Sequence, residues 1–271
     1  MLSLWDAHMH SDFSGDANII PEYMIAAAKA LSLPGITFTD HLDLDYREEP
    51  GLFDLDVSSY HSTIKSLSEK ESTEDFSILL GIELGLQPHV ANAYELLLKE
   101  YSFDFVIGST HVIRGEDPYY PKYFSTRDEK TAFLQYYEMI LENIQAFDQF
   151  DSLGHLDYCF RYGPYARPDM DTYTPYAEIV DAILSTIIKK DIALEVNTGS
   201  FRCGLMEPNP CIAIIKRYRE LGGYLLTIGS DAHKTEHIGL HFDDIPDLLK
   251  GCGFKEYHVY KNRTPIAFPL D

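Results

Sequence analysis

Short, almost continuously apolar runs alternate along this chain with longer amphipathic segments. Residues 78–82 read Ile-Leu-Leu-Gly-Ile with no polar break. A run of that kind suits a strand covered on both faces, as in a parallel sheet flanked by helices. Comparable strands are expected at 3–8, 35–40, 77–83, 104–111, 151–155, 192–197 and 224–231, and a shorter, more polar eighth at 255–260. Helical patterns fill the gaps at 21–33, 57–71, 91–100, 128–147, 174–190, 210–221 and 244–250. Pro21 stands at a first-turn position, and Gly222-Gly223 stops the sixth helix. No internal repeat, low-complexity linker or obvious boundary divides the chain, so one α/β domain is expected over 1–271. Seven or eight βα units favour a closed barrel, with an open doubly wound sheet as the second choice.

The charge balance narrows the partners. There are 43 acids against 22 bases, a formal net charge of -21 over 271 residues. Such a surface repels nucleic acid, whose affinity rests largely on phosphate neutralisation, and it disfavours anionic membranes. Most of the acids read as a solubilising surface. No stretch reaches the apolar length of a membrane span. Asp6 near the start, with no basic run before it, argues against a secretory signal. Cys159, Cys203, Cys211 and Cys252 form no Cys-x-x-Cys pair, so a reducing cytoplasmic setting is the simplest. Composition fixes no oligomeric state and allows a homo-oligomer.

The polar residues fall where a barrel would use them. The expected strands end in His8, His41, Glu83, His111, His155, Asn197 and Asp231, with His10, Asp16 and His233 close by. His8 and His10 are two apart, so on a strand they share a face and can chelate an ion. Active sites of βα-barrels lie at the C-terminal strand ends. One assumption thus gathers six imidazoles and three acids around one mouth, more than a single ion needs. Any one of these histidines alone would more often be a packing or surface residue. Asp40 and Asp43 read equally well as caps or turn formers. His61, His89, His237, His241 and His258 read as ordinary surface or packing residues.

In sequence, Asp6-Ala7-His8-Met9-His10, Thr39-Asp40-His41, Gly81-Ile82-Glu83, Gly108-Ser109-Thr110-His111, Gly154-His155-Leu156-Asp157 and Gly229-Ser230-Asp231-Ala232-His233 resemble the motifs of the polymerase and histidinol phosphatase (PHP) superfamily. They keep the family's order and span residues 6–233. Leu194-Glu195-Val196-Asn197-Thr198-Gly199, and Arg161-Tyr162 after the fifth motif, resemble its histidinol-phosphate phosphatase branch. The resemblance implies a distorted (β/α)7 TIM-like barrel with a trinuclear metal centre. His8, His10, Glu83 and Asp231 would hold one ion. Glu83 would bridge to a second, completed by His111 and His155. Asp16, His41 and His233 would hold a third; many relatives have histidine where Asp16 stands. The mixed donors suit zinc, manganese or iron, in two or three sites.

The implied reaction is hydrolysis of L-histidinol phosphate to L-histidinol and phosphate, in histidine biosynthesis. A metal-bridging hydroxide would attack phosphorus in line. Glu83, Asp231 and His233 are the expected catalytic residues, with Asp231 or His233 managing the leaving-group proton. Arg161 and Arg202 are expected to bind the phosphate, because the guanidinium fork matches phosphate oxygens. Arg114 reads as a surface ion-pair residue. Acids of loop 42–56 and Tyr119, Tyr120 and Tyr123 of loop 115–124 are candidates for the amine and imidazole end. Three alternatives remain: a PHP phosphoesterase acting on nucleotides or other small phosphates, an amidohydrolase, and a non-catalytic metal-binding module. Glu83, where many amidohydrolases use a modified lysine, favours the phosphoesterase.

Overall fold

The computed structural model describes residues 4–270. Its main sheet is parallel, in the order β1 (Asp6–Met9), β2 (Gly35–Phe38), β4 (Ser77–Gly85), β5 (Phe105–Ser109), β6 (Ser152–Leu153), β7 (Ala193–Asn197) and β8 (Leu226–Gly229), with β3 (His41–Leu42) also paired to β4. β1 and β8 meet through a parallel bridge from Met9 to Ala232. Across this seam His10 N donates to Ala232 O at 2.8 Å and Asp231 N to His8 O at 2.8 Å. The sheet therefore curls into a nearly closed barrel of seven strand positions, as the sequence led us to expect. The start of the first expected strand, Ser3, lies outside the described residues.

The outer helices are α1 (Pro21–Ala30), α2 (Val57–Glu71), α3 (Ala91–Glu100), α4 (Pro121–Ser125), α5 (Glu129–Ala146), α6 (Ala177–Lys189), α7 (Ile212–Glu220) and α8 (Ile245–Gly251). They match the expected segments to within a few residues at each end, except α4, which the sequence reading missed. Asp56 and Asp128 cap α2 and α5 by accepting from Ser59 N and Thr131 N, satisfying amides that the helix leaves open.

Two expectations change. The expected strand 35–40 ends as β2 at Phe38, and a separate short β3 begins just beyond it at His41. The Asp40 carboxylate accepts from Ser11 N at 2.7 Å and from the Ser14 hydroxyl at 2.8 Å, while Thr39 N still donates to Met9 O at 2.9 Å and Asp40 O accepts from Glu83 N at 3.2 Å. Pairing then resumes at His41, opposite Glu83.

The expected eighth strand is not a barrel strand. β9 (Glu256–Lys261) forms an antiparallel hairpin with β10 (Thr264–Pro269), which the sequence reading missed. Its turn residues Asn262 and Arg263 both have positive φ, 50° and 61°, the backbone a two-residue hairpin turn demands. The hairpin covers the N-terminal end of the barrel. Trp5 N donates to the Tyr257 hydroxyl at 3.0 Å, Asn262 N to Asp104 at 3.0 Å, and Arg263 pairs with Asp151. With that end closed, the opposite mouth holds the polar cluster.

Candidate metal centre

Eight of the nine expected ligands lie at or just after the C-terminal ends of strands, and Asp16 comes from the turn that follows β1. Most are deeply buried: His8, His10 and Glu83 are 0% exposed, Asp231 5%. Asp231 sits at a positive φ of 56°, a backbone that aspartate tolerates better than most residues. Arg202 holds that turn, donating from Nη1 to Ser230 O at 2.6 Å and from Nη2 to Asp231 O at 2.7 Å.

Glu83 is the centre of the arrangement. Its Oε2 lies 2.9 Å from His41 Nδ1, 3.3 Å from His8 Nε2 and 3.6 Å from His10 Nε2. Its Oε1 lies 3.0 Å from His155 Nε2 and 3.4 Å from His111 Nε2, and accepts from the Ser109 hydroxyl at 2.6 Å. One carboxylate therefore faces two imidazole sets with its two oxygens. Asp231 Oδ1 lies 3.4 Å from His10 Nε2 and 3.9 Å from His8 Nε2. Among the described residues, three groups have donor atoms close enough to hold a cation: His8, His10 and Asp231; His41, Glu83 and His111; and His10, His41 and His233. Asp16 flanks the last group, with Oδ2 3.1 Å from His233 Nε2 and 3.9 Å from His41 Nε2. His41 thus stands between the second and third groups, and His10 between the first and third.

The electrostatics favour cations here. Burial alone would raise the Glu83 and Asp231 carboxyls, but the neighbouring charges outweigh it: His41 and His8 for Glu83, His10, His8 and Arg161 for Asp231. Both are held well below the usual carboxylate range. Burial lowers His41, yet Glu83 and Asp16 raise it to about 9. His8 and His111 are likewise raised against burial, chiefly by Glu195 and Glu83 and by Asp43 and Glu83. The acids thus draw protons onto imidazoles, and a divalent cation competes for the same lone pairs. Glu83 Oε2, His41 Nδ1 and Asp43 Oδ2 are buried with no well-aligned hydrogen bond, although the first two lie 2.9 Å apart. Orphaned polar atoms converging in a buried cluster fit ions that satisfy them, and the imidazole and carboxylate donors fit zinc, manganese or iron.

The arginines divide. Arg161 is buried, donating to Asp231 Oδ2 at 3.0 Å, Asn197 Oδ1 at 2.8 Å and Asn209 Oδ1 at 2.6 Å. Arg161 and Arg202 line the same mouth cavity as His41, His111, Asp231 and His233. Arg114 instead forms an exposed ion pair with Glu142.

Several loop expectations need revision. Tyr123 is buried, its hydroxyl donating to Ala132 O, so it faces the core and not the mouth. Glu49 bonds Tyr120, Asp45 pairs with Arg47, and Asp56 caps α2. The cavity wall comes instead from Phe53, Asp117, Tyr158 and Tyr162. Asp43, read as a turn former, is buried against His111. Glu195, noted only inside a motif, is buried against His8. Asn209 carried no sequence signal; it reaches Arg161 from a loop distant in the chain.

Comparison with known proteins agrees with this geometry. The PHP domain model matches residues 6–199. A probable histidinol-phosphatase of Clostridium acetobutylicum is 32% identical, covering 97% of this chain and all of the relative. The histidinol-phosphatase of Lactococcus lactis is 31% identical, covering 94% of this chain and 93% of that one. The crystal structure of the Lactococcus lactis histidinol phosphate phosphatase, complexed with zinc, L-histidinol and phosphate, superposes with a TM-score of 0.89 at 29% identity, over 97% of this chain and 99% of that one. A putative histidinol phosphatase of Listeria monocytogenes has the same fold, with a TM-score of 0.75 at 20% identity over 89% of this chain and 99% of that one. A carboxylate shared between imidazole clusters, on a barrel of this topology and with these relatives, places the chain in the PHP family, in its histidinol-phosphatase branch.

Proposed function

We propose that this protein is a metal-dependent phosphomonoesterase that hydrolyses L-histidinol phosphate to L-histidinol and phosphate. The observation that carries the reading is Glu83, whose two oxygens face separate imidazole sets beside two arginines at one barrel mouth. His8, His10, Glu83 and Asp231 would hold one ion, Glu83, His111 and His155 a second, and Asp16, His41 and His233 a third. Bound divalent ions supply an ionised water as nucleophile and neutralise phosphoryl charge.

The chain's own groups do the rest. Arg202 is fixed by two backbone carbonyls, and Arg161 by Asn197, Asn209 and Asp231. Their remaining N–H groups offer the phosphate preset donors, with little ordering left to do on binding. His233 lines the cavity, its Nδ1–H donating to Asp231 O at 2.9 Å and its Nε2 facing Asp16 at 3.1 Å, an arrangement that suits a ligand better than a proton donor. The buried Asp117 carboxylate, accepting from the Tyr46 hydroxyl at 2.7 Å, offers a negative wall for an ammonium group. Tyr158 and Tyr162 offer faces for an imidazole ring.

The net charge of -21 argues for a small substrate over nucleic acid, and no helix among the described residues is long and apolar enough to cross a membrane. Metal analysis coupled to phosphate release tests the reading. L-Histidinol phosphate should be preferred over nucleotides and simple phosphomonoesters. A preference for nucleotide bisphosphates would replace it with the other phosphoesterase reading, and no hydrolysis of any phosphoester by metal-replete protein would leave only metal binding.

A further inference from the structure

Two buried carboxylates lie behind the metal centre, and neither belongs to the expected ligand set. Glu195 is 1% exposed and Asp43 2%. Glu195 Oε1 lies 2.5 Å from His8 Nδ1, and Asp43 Oδ1 lies 2.8 Å from His111 Nδ1. In both rings the opposite nitrogen, Nε2, points toward Glu83, at 3.3 Å and 3.4 Å. A carboxylate on Nδ1 keeps the proton there and leaves the Nε2 lone pair free for a cation. Glu195 also accepts from His155 N at 2.7 Å through Oε2, so one side chain ties together ligands from opposite sides of Glu83.

Both carboxylates occupy notches that a glycine leaves open. A Cβ on Gly229 would lie 2.3 Å from His8 Cβ and 2.9 Å from Glu195 Oε1. A Cβ on Gly85 would lie 1.9 Å from Asp43 Oδ1. Neither glycine has a positive φ, so the need is for space and not for backbone freedom. Barrel strands β8 and β4 thus each omit a side chain where a carboxylate must pass behind an imidazole.

We infer that Glu195 and Asp43 are positioning residues, each fixing the tautomer and orientation of one metal-ligand histidine, and that they serve different ions. Glu195 sets His8 for the ion shared with His10 and Asp231. Asp43 sets His111 for the ion shared with His155. The inference rests on the metal-centre reading but not on the identity of the substrate.

The test is zinc binding by the full chain, measured by competition with a chelator at fixed pH. Glu195→Gln and Asp43→Asn keep shape and remove charge. Each should weaken most the zinc site of its own histidine, about 10- to 100-fold, and the double variant should weaken both sites. A purely structural role would lower Tm while leaving every zinc affinity within twofold of wild type, and that result overturns the assignment. The wild-type protein gives a second test that needs no variant. In its zinc-loaded form with ¹⁵N-labelled histidine, His8 and His111 should show protonated Nδ1 and metal-bound Nε2. Metal-bound Nδ1 on either ring would refute it. Tight zinc binding without phosphoester hydrolysis would sink the proposed function and leave this inference standing.

Discussion

Replacing Glu83 by glutamine changes one atom and removes one charge at the point where the two imidazole sets meet. The side chain is fully buried, so water cannot substitute. An amide offers lone pairs from only one end, whereas the carboxylate uses both. Ser109 donates to Oε1 at 2.6 Å, which favours keeping the amide oxygen there, beside His155 and His111. The NH₂ group then faces His8, His10 and His41, where an acceptor is needed. Breaking a buried charge pair from one side costs about 3–5 kcal/mol, or roughly 10²- to 10⁴-fold in affinity at 1.4 kcal/mol per decade. Glu83→Gln should therefore lose close to one ion per chain, the one held with His8 and His10, while the His111 and His155 ion persists more weakly. Elemental analysis after gel filtration, paired with phosphate release from L-histidinol phosphate, reads both effects. Turnover should collapse together with metal content. A Glu83→Gln protein with full metal content and full turnover would refute the bridging role, and loss of the opposite ion would refute the amide orientation.

Arg202→Ala should lower kcat/KM for the phosphoester by about 10²-fold, and should also loosen the ion held with Asp231, because the Ser230–Asp231 turn loses two donors; unchanged kcat/KM would remove Arg202 from phosphate binding. Arg161→Met leaves Asp231 and Asn209 without their buried partner. A cost of about 3–5 kcal/mol should lower Tm by on the order of 10 °C, so a Tm within a degree or two of wild type would show that the Arg161–Asp231 pair contributes little. The metal-free protein should lose stability as pH rises. His41 is raised to about 9 when folded and titrates near 6.5 when unfolded. Its contribution is full below about 6.5 and disappears as pH climbs through about 9. The Tm of chelator-treated protein should fall across that window while zinc-loaded protein holds steadier; a metal-free Tm that rises there would contradict the pairing of protonated His41 with Glu83 and Asp16.

What could be read from the sequence follows from the range of the forces involved. Strand and helix alternation is local, and a run such as Ile78–Ile82 declares itself through its own hydrophobicity. The convergence of the candidate ligands was legible because chemistry confines such residues to strand ends: once the barrel is assumed, His8, Glu83, His155 and Asp231 have only one place to meet. The hairpin at 256–269 was half missed because β10 carries Pro265 and Pro269 and is mostly exposed, so it lacks the apolar run that marked the others. Its turn is Asn-Arg, without the glycine that usually signals one. The break after Phe38 carries no local mark, because the Asp40 carboxylate beside it is held by Ser11 and Ser14, from another part of the chain.

The residues behind the ligands were hidden for a related reason. Asp43 carries every local mark of a turn, and its partner His111 is remote in sequence. Glu195 sits inside an apolar strand, where a lone acid ought to have raised a question: a buried carboxylate needs a partner, and β7 offers only the Asn197 amide, 3.2 Å from Oε2 and uncharged. The titratable partner is His8, on the far side of β8, reachable only because position 229 has no side chain. An unexplained acid in a core strand, together with a glycine on a neighbouring strand, is therefore a usable sequence signal. It marks a place where the barrel gives up packing so that a charge can stand behind a ligand.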